Sequence, residues 1–248
     1  MKYLFVFLLI AWPYLSHGDV ISGDCFVKHI EEAINLNKER RGLYKQQSGG
    51  SSVKISDALI WFERLTLLSA RWFDWQAKPW QKKGIPLLCS EFVSMDLTPR
   101  FDPIKSPQEE ARLSLNIRDL TKSLRSSLGS NEHDLLGIVS RSLRGIESEP
   151  NYHCMQRHLI ESIGRTAKLI PVYEKMALAR GLEKPTPILK QFLGLQIWGL
   201  KFGRWLDSMA RPLQEKGLGI ICNDIPFIPM DIGIDPPLLL SRSTYEEE

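Results

Sequence analysis

Apolar residues recur at helical spacing in two separate parts of the chain. Residues 26, 30 and 34 are apolar, and residues 155, 159 and 163 repeat this pattern. Such an i, i+4, i+8 stripe is typical of a helix that packs on one side. A longer apolar pattern follows each stripe: Ile55, Leu59, Phe62, Leu65, Trp72 and Phe73 after the first, and Ile188, Phe192, Leu195, Trp198, Trp205 and Leu206 after the second. The patterns predict two helical hairpins with these residues on their packed faces.

The two hairpins also share identical polar and special residues. Segment 70–89 aligns with segment 203–222 without a gap, and the identities are Arg71/Arg204, Trp72/Trp205, Asp74/Asp207, Ala77/Ala210, Pro79/Pro212, Gln81/Gln214, Lys83/Lys216, Gly84/Gly217 and Cys89/Cys222. Upstream, segments 25–44 and 154–173 share cysteine, histidine, glutamate, isoleucine and tyrosine at matched places. An internal duplication follows as a prediction, with unit one at 22–103 and unit two at 151–236.

Local signals set the expected ends of the helices. Ser22 and Asn151 stand where an N-cap is expected. Pro79 and its match Pro212 should kink or end the second helix of each unit, because proline lacks the N–H and clashes with the preceding turn. A short helix then runs to Gly84 or Gly217, since glycine accepts the left-handed conformation of a helix stop. The hairpin connections are predicted as a flexible loop at 46–52 and a loop at 181–187.

The remaining segments complete the predicted fold. The insert at 104–150 carries a capping box at 106–109 and two apolar helical stripes, the second formed by Leu135, Val139, Leu143 and Ile146. The proline-rich end predicts an extended strap up to residue 240, followed by a disordered tail at 241–248. The fold class is therefore all-α. Within a single domain at 19–240, two tandem disulfide-closed hairpins pack about a pseudo-twofold axis, and a two-helix insert joins them.

The N-terminus predicts export. Lys2, an apolar run over 3–15 and small residues before Asp19 form the pattern of a secretory signal peptide at 1–18. The run is too short for a stable membrane span, so we expect a periplasmic or secreted protein that is not transmembrane after cleavage.

Four cysteines in an exported chain favour disulfides. One cysteine begins the first helix and one follows the second helix in each unit, which predicts the pairs Cys25–Cys89 and Cys154–Cys222. The alternative is a zinc site using Cys25, His29 and Cys89; export and the lack of a C-x-x-C pair make it the weaker interpretation.

A duplicated His-x-x-Glu pair is the candidate for metal chemistry. His29 and Glu32 lie one turn apart on the first helix, and His158 and Glu161 repeat them. If the two helices face each other, two imidazoles and two carboxylates would suit iron, manganese or zinc. The alternative, which we favour, is a half-buried histidine that is hydrogen-bonded to the glutamate one turn on.

A duplicated Arg-x-x-Asp pair, Arg71 with Asp74 and Arg204 with Asp207, lies nearly opposite the predicted apolar stripe. The two residues form either an exposed ion pair that contributes little to stability, or part of a covered face on which their charges bind backbone groups of the tail or insert. We favour the covered face. A ligand or partner surface is the third possibility.

Composition excludes several classes of function. The net charge is only +3 and basic residues are mixed with acids or lie at helix ends, so no nucleic-acid partner is expected. Catalytic motifs such as G-x-S-x-G, a phosphate loop and His-Glu-x-x-His are absent from the sequence. Trp61, Trp72, Trp75 and Trp80 crowd one helix; they are interpreted mainly as core, with Trp75 and Trp80 as the two that could be exposed.

These features predict an exported, non-enzymatic binding or assembly protein of the bacterial periplasm or cell envelope, with a protein partner and no cofactor. A metal-binding protein or metal-dependent enzyme using His29, Glu32, His158 and Glu161 is the alternative.

Overall fold

A computed structural model describes residues 24–48, 50–89, 124, 133–148, 152–222 and 224. Several predictions fall outside the described residues: the signal peptide, the N-cap at Ser22, nearly all of the first insert helix, the strap beyond 224 and the tail.

The described residues are helical and contain no strand. In chain order the helices are α1 Cys25–Ser48, α2 Gly50–Gln81, α3 His133–Ser148, α4 Cys154–Ala179 and α5 Thr186–Gln214. The all-α prediction is confirmed, and α3 is the predicted second helix of the insert. Val139, Leu143 and Ile146 of the predicted stripe are buried, and Ile138 and Ser142 beside them are buried too.

Helices α1 and α2 pack along each other, as do α4 and α5, and α5 also contacts α2 and α3. Three phenylalanines join the hairpins at the centre. The Phe26 ring lies 5.2 Å from that of Phe192, and the Phe73 ring lies 5.4 Å from Phe192, both edge to face. This arrangement is a favoured geometry for aromatic pairs. The stripes that begin α1 and α4 are packed as the sequence predicts, since all of their residues are buried except Leu159, which is half-buried against the core.

Pro79 and Pro212 are predicted to kink or end the second helix; that they end it is wrong, and a kink stays a prediction. Helix α2 continues through Pro79 to Gln81, and α5 continues through Pro212 to Gln214. Each proline stands near the C-terminal end, where it costs one backbone hydrogen bond while most of the helix stays intact. The glycine stops are confirmed, because Gly84 and Gly217 have φ of 74° and 85°.

Two further local predictions need correction. The prediction of a flexible loop at 46–52 is wrong for the residues that the structure describes, since those up to Ser48 belong to α1 and those from Gly50 belong to α2. The hydroxyls of Ser48 and Ser52 donate to the Tyr44 carbonyl at 3.2 and 3.1 Å, which satisfies a group freed by the turn. The N-cap of α4 is His153 rather than Asn151, and it makes no side-chain capping bond. The loop between α4 and α5 is present as predicted.

Both predicted disulfides are confirmed. Cys25 pairs with Cys89 and Cys154 pairs with Cys222, with Cα atoms 5.1 and 5.0 Å apart. Each hairpin is therefore closed at its open end by a covalent bond.

The two hairpins are also cross-braced by tyrosines. Tyr44 of α1 donates its hydroxyl to Asp224 Oδ1 beyond the second disulfide at 2.9 Å. Tyr173 of α4 donates to the Pro86 carbonyl before the first disulfide at 3.1 Å. These tyrosines are matched residues of the proposed repeat, so each hairpin reaches the disulfide segment of the other. The duplication of the chain itself stays a prediction.

Candidate functional site

The repeated aspartates cap helices. Asp74 on α2 accepts hydrogen bonds from the backbone N–H groups of Phe26 and Val27 at 3.2 and 2.8 Å. Asp207 on α5 accepts from Met155 and Gln156, both at 2.9 Å. The first N–H groups of a helix have no partner within the helix, and negative charge is favoured there. A carboxylate from the second helix of each hairpin thus caps the first turn of the first helix.

Burial affects the charge of these two carboxyl groups. It raises the pKa of Asp74 to about 6 and that of Asp207 to about 7, while the backbone hydrogen bonds act in the opposite direction. Each carboxyl group is nearly inaccessible to solvent. The repeated aspartates are accordingly part of the scaffold at the disulfide end of each hairpin.

The repeated glutamines brace the same disulfides. Gln81 Nε2 donates to the Leu87 carbonyl at 2.8 Å and lies 3.7 Å from Cys89 Sγ. Gln214 makes the matching contacts with Ile220 and Cys222 at 2.9 and 3.4 Å. The identity of these glutamines in both segments is the signal in the sequence that could have pointed to this role.

The residue before each closing cysteine has an unusual backbone. Leu88 and Ile221 have φ of 64° and 70°, in the left-handed region that non-glycine residues rarely occupy. Both side chains are fully buried. Their packing holds the chain in the conformation that directs the next residue into the disulfide.

The repeated arginines have a different environment from their aspartates. Arg71 and Arg204 are exposed, whereas Asp74 and Asp207 are buried. Neither arginine forms an ion pair with its aspartate in the described part of the chain. The interpretation as an exposed ion pair is therefore wrong. The favoured interpretation, a covered face, is correct in that the carboxylates bind backbone groups. These groups lie in the first turns of α1 and α4 rather than in the tail or insert.

The two histidines of the metal hypothesis influence each other. His29 is buried on α1, and burial followed by the interaction with His158 lowers its pKa to about 3. His29 is therefore a neutral imidazole at any physiological pH. The matched histidines of α1 and α4 are therefore near each other in the structure.

The carboxylates of that hypothesis are placed differently. Glu161 is buried and accepts from Arg157 Nε at 3.2 Å, and Glu32 is half-buried. Within the described ranges, no group of three or more histidine, cysteine, aspartate or glutamate side chains is arranged to hold a metal ion. The metal site remains a hypothesis supported by the histidine pair.

A buried polar cluster crosses the first hairpin. Asn37 Nδ2 donates to Glu63 Oε1 at 2.5 Å, and Arg40 Nη1 lies 3.5 Å from Asp224 Oδ1, which also accepts from Tyr44. The positions that match Asn37 and Glu63 in the second hairpin are Thr166 and Gln196, which also share a hydrogen bond, of 3.2 Å. A polar contact between the paired helices is thus common to both hairpins, but only the first uses a carboxyl group.

The outward side of α2 has an unusual composition. Its exposed residues include Trp61, Arg64, Leu68, Arg71 and Trp75, which follow at steps of three and four. Trp61 and Trp75 are 57% and 55% exposed. At 1.5 Å per residue this stripe is roughly 21 Å long. Solvated helix faces are normally polar, so large exposed aromatic residues indicate a surface for contact.

Helix α5 carries a second stripe that joins the first. Trp198 and Trp205 are 56% and 46% exposed, and Lys201 Nζ lies 4.3 Å above the Trp198 ring. The Phe202 ring connects the helices, with centroids 5.2 Å from Trp205 and 6.3 Å from Trp61. We call the two stripes the aromatic–basic face; its residues are Trp61, Arg64, Leu68, Arg71 and Trp75 on α2 and Trp198, Lys201, Phe202, Arg204 and Trp205 on α5.

Several tryptophan predictions change as a result. Trp198 and Trp205 were expected in the packed stripe, and this is wrong, because α5 buries Leu189, Leu193 and Ile197 instead. Trp75 is exposed as suggested, whereas the interpretation of Trp61 as core is wrong, because Trp61 is exposed too. Trp80 is half-buried and donates its Nε1–H to the Glu183 carbonyl at 2.8 Å. Apolar residues occupy more than one side of α5, so periodicity could not decide which side faces the core.

Comparison of the chain with protein-family models, with curated proteins and with solved structures gives no match in any of the three. No helix in the described ranges has the length and apolar character needed to cross a membrane. Fold and site together define an all-α protein in which disulfides close two hairpins and tryptophans are exposed on their second helices.

Proposed function

We propose that the protein is an exported, non-enzymatic binding or assembly protein of the bacterial periplasm or cell envelope, and that the aromatic–basic face contacts its protein partner. The observation that carries this proposal is the exposure of four tryptophans, each between 46% and 57%, on two long helices. Tryptophan and arginine are the residues most enriched among the energetic centres of protein interfaces.

The scaffold suits this role because it fixes the face. Disulfides, aspartate caps and glutamine contacts secure the ends of both hairpins. A surface on rigid helices loses little conformational entropy when it binds. The two disulfides are compatible with an extracellular or periplasmic location, in which such bonds persist.

Site-specific photocrosslinking tests the binding role. A photoreactive phenylalanine analogue would replace Trp61, Trp75, Trp198 or Trp205 in turn, in cells that make the protein from its native locus. Exposed Glu31 on α1 and Lys175 on α4 are the matched control positions. We expect one common protein adduct from the four face positions and none from the controls. Equal labelling from all six positions, or none at all, would contradict the proposal.

Export has its own test. Expression with the native N-terminus should release the protein on osmotic shock, and its first residue should be Asp19. Retention in the cytoplasm with Met1 in place would disprove the predicted location.

The second candidate is metal binding through His29, Glu32, His158 and Glu161. The observation that favours it is the interaction between His29 and His158. Imidazole pairs from facing helices are common ligands of zinc and iron. Metal analysis of protein purified without a polyhistidine tag tests it: stoichiometric metal, lost in a folded His29→Ala, His158→Ala variant, would establish this candidate, and metal-free protein would remove it.

A further inference from the structure

The aromatic–basic face has the geometry of a helix-packing seam on α2. Its exposed apolar residues Trp61, Leu68 and Trp75 are seven residues apart, and the half-buried Leu65 and Trp72, which are not part of the face, stand between them at steps of four and three residues. This spacing over two heptads is the one by which a second helix docks along the first. Three of the five side chains are exposed, whereas Leu65 is half-buried and Trp72 is half-buried against the core.

Among the described residues of α2 and α5, the exposed charges near the seam are basic except Asp57, which is paired with Arg41. Helices α2 and α5 together carry four acidic residues; Glu63, Asp74 and Asp207 are buried, and Asp57 is bound by Arg41 at 2.6 Å. The exposed bases on the same helices are Lys54, Arg64, Arg71, Lys201 and Arg204. A second copy of the chain would therefore bring basic groups against basic groups, which opposes self-association through this face.

The seam on α2 is flanked by arginines. Arg64 and Arg71 lie seven residues apart, between the exposed apolar residues. The guanidinium group presents a planar fork that binds a carboxylate through two hydrogen bonds. Acidic side chains spaced by one heptad on a docked helix would meet both arginines.

From this combination we propose that the face docks an amphipathic helix of the partner protein, with apolar residues against Trp61, Leu68 and Trp75 and with aspartate or glutamate beside Arg64 and Arg71. This inference rests on the proposed function and adds the chemistry of the partner. The binding mode is that of an amphipathic helix read by its i, i+3, i+4 and i+7 residues.

Synthetic helices provide the probe. The first is a peptide of three heptads with leucine at a and d and glutamate at e and g; the second has lysine in place of glutamate; neither contains tryptophan. Titration is followed by the tryptophan fluorescence of the protein and by calorimetry. We expect the glutamate peptide to bind with a blue shift, and the lysine peptide not to bind. Salt should weaken the glutamate complex.

Matched variants locate the binding. The double variant Arg64→Glu, Arg71→Glu should weaken binding of the glutamate peptide by more than about tenfold. The control double variant Lys38→Glu, Lys175→Glu makes the same change of charge at exposed sites on α1 and α4. It should leave binding of the peptide unchanged. All four side chains are exposed, so the variants should fold, which circular dichroism checks.

Three outcomes would overturn the inference: equal binding of both peptides, equal weakening by both variants, or no binding of the glutamate peptide. Vesicles of phosphatidylglycerol that bind through Arg64 and Arg71 without peptide binding would assign the face to a lipid surface instead. Protein adducts from the face in the photocrosslinking experiment, without peptide binding, would leave the binding role standing and reject the acidic helix. Absence of adducts rejects the binding role itself.

Discussion

Glu63 makes the stability of the fold depend on pH in a way that one substitution can test. Its Oε1 accepts from Asn37, whereas Glu63 Oε2 and Asn37 Oδ1 have no hydrogen bond within the described residues. Burial raises the pKa of Glu63 to about 8, the Asn37 hydrogen bond acts against this, and the charge of Asp224 adds to it. A proton on Glu63 Oε2 would provide a donor for Asn37 Oδ1, which has none in the described part of the chain.

The direction of the pH dependence follows from comparing the pKa of Glu63 in the unfolded and folded states. The unfolded chain releases this proton near pH 4.5, and the folded chain keeps it until about pH 8. The stability contributed by protonated Glu63 is therefore complete below about pH 4.5 and is lost as the pH rises to 8. At about 1.4 kcal/mol per pH unit, the loss between pH 6 and pH 8 is about 2–3 kcal/mol.

Glu63→Gln keeps the shape of the side chain and cannot ionise. We expect its free energy of unfolding to fall less between pH 6 and pH 8 than that of the wild type, by about 2–3 kcal/mol. Urea unfolding followed by circular dichroism at pH 6, 7 and 8 measures the difference. Asp74 and Asp207 also have raised pKa values, of about 6 and about 7, but they contribute equally to both proteins. Asp224, with a pKa raised to about 6, interacts with Glu63, and this interaction is part of the measured difference.

The second hairpin supplies the reciprocal control. Gln196 occupies the matched buried position and donates to Ser162 and Thr166. Gln196→Glu should therefore introduce a similar loss of stability towards pH 8. Parallel pH profiles of the wild type and Glu63→Gln would refute the reasoning, whatever the result at position 196.

Three further changes test the scaffold. Asp207→Asn leaves one oxygen for the two N–H groups at the start of α4. We expect urea unfolding at pH 8 to show a free energy of unfolding that is lower by about 1–2 kcal/mol. An unchanged free energy of unfolding would refute the capping role of Asp207. Gly194→Ala should stabilise the protein by about 0.5–1 kcal/mol. Gly203→Ala should destabilise it, because the added Cβ would lie 3.1 Å from two side chains of α4. Thermal melts that rank the two variants otherwise would contradict the packing. Replacing Cys154 and Cys222 by serine should cost about 4 kcal/mol for the loop they close, and non-reducing peptide mapping that joins either cysteine elsewhere would disprove the pairing.

Much of the fold was predictable because its signals are local or pairwise. The stripe of α1 gave a buried Phe26, Ile30 and Ile34, and glycines with positive φ stop α2 and α5. The position of one cysteine at each end of a hairpin was enough to predict both disulfides. Errors arose where a local signal competed with packing, as at Pro79 and in the segment 46–52.

The candidate site was less predictable. The matched aspartates were singled out, but their role depends on the distance between two helices, which no single helical pattern contains. The aromatic–basic face was missed because tryptophan at helical spacing is normally buried. Its signal in the sequence was the alternation of tryptophan and arginine at positions 61, 64, 68, 71 and 75.

The sequence by itself determined which segments are helical, where glycine stops them and which cysteines pair. These properties depend on periodicity, on backbone conformation and on order along the chain. Only the tertiary structure decided that Asp74 and Asp207 cap neighbouring helices, that Glu63 is buried beside Asn37 and that Trp198 and Trp205 face outwards. The physical reason is that a helix with apolar residues on several sides can pack in more than one rotation, and its neighbours select the one that fills the core.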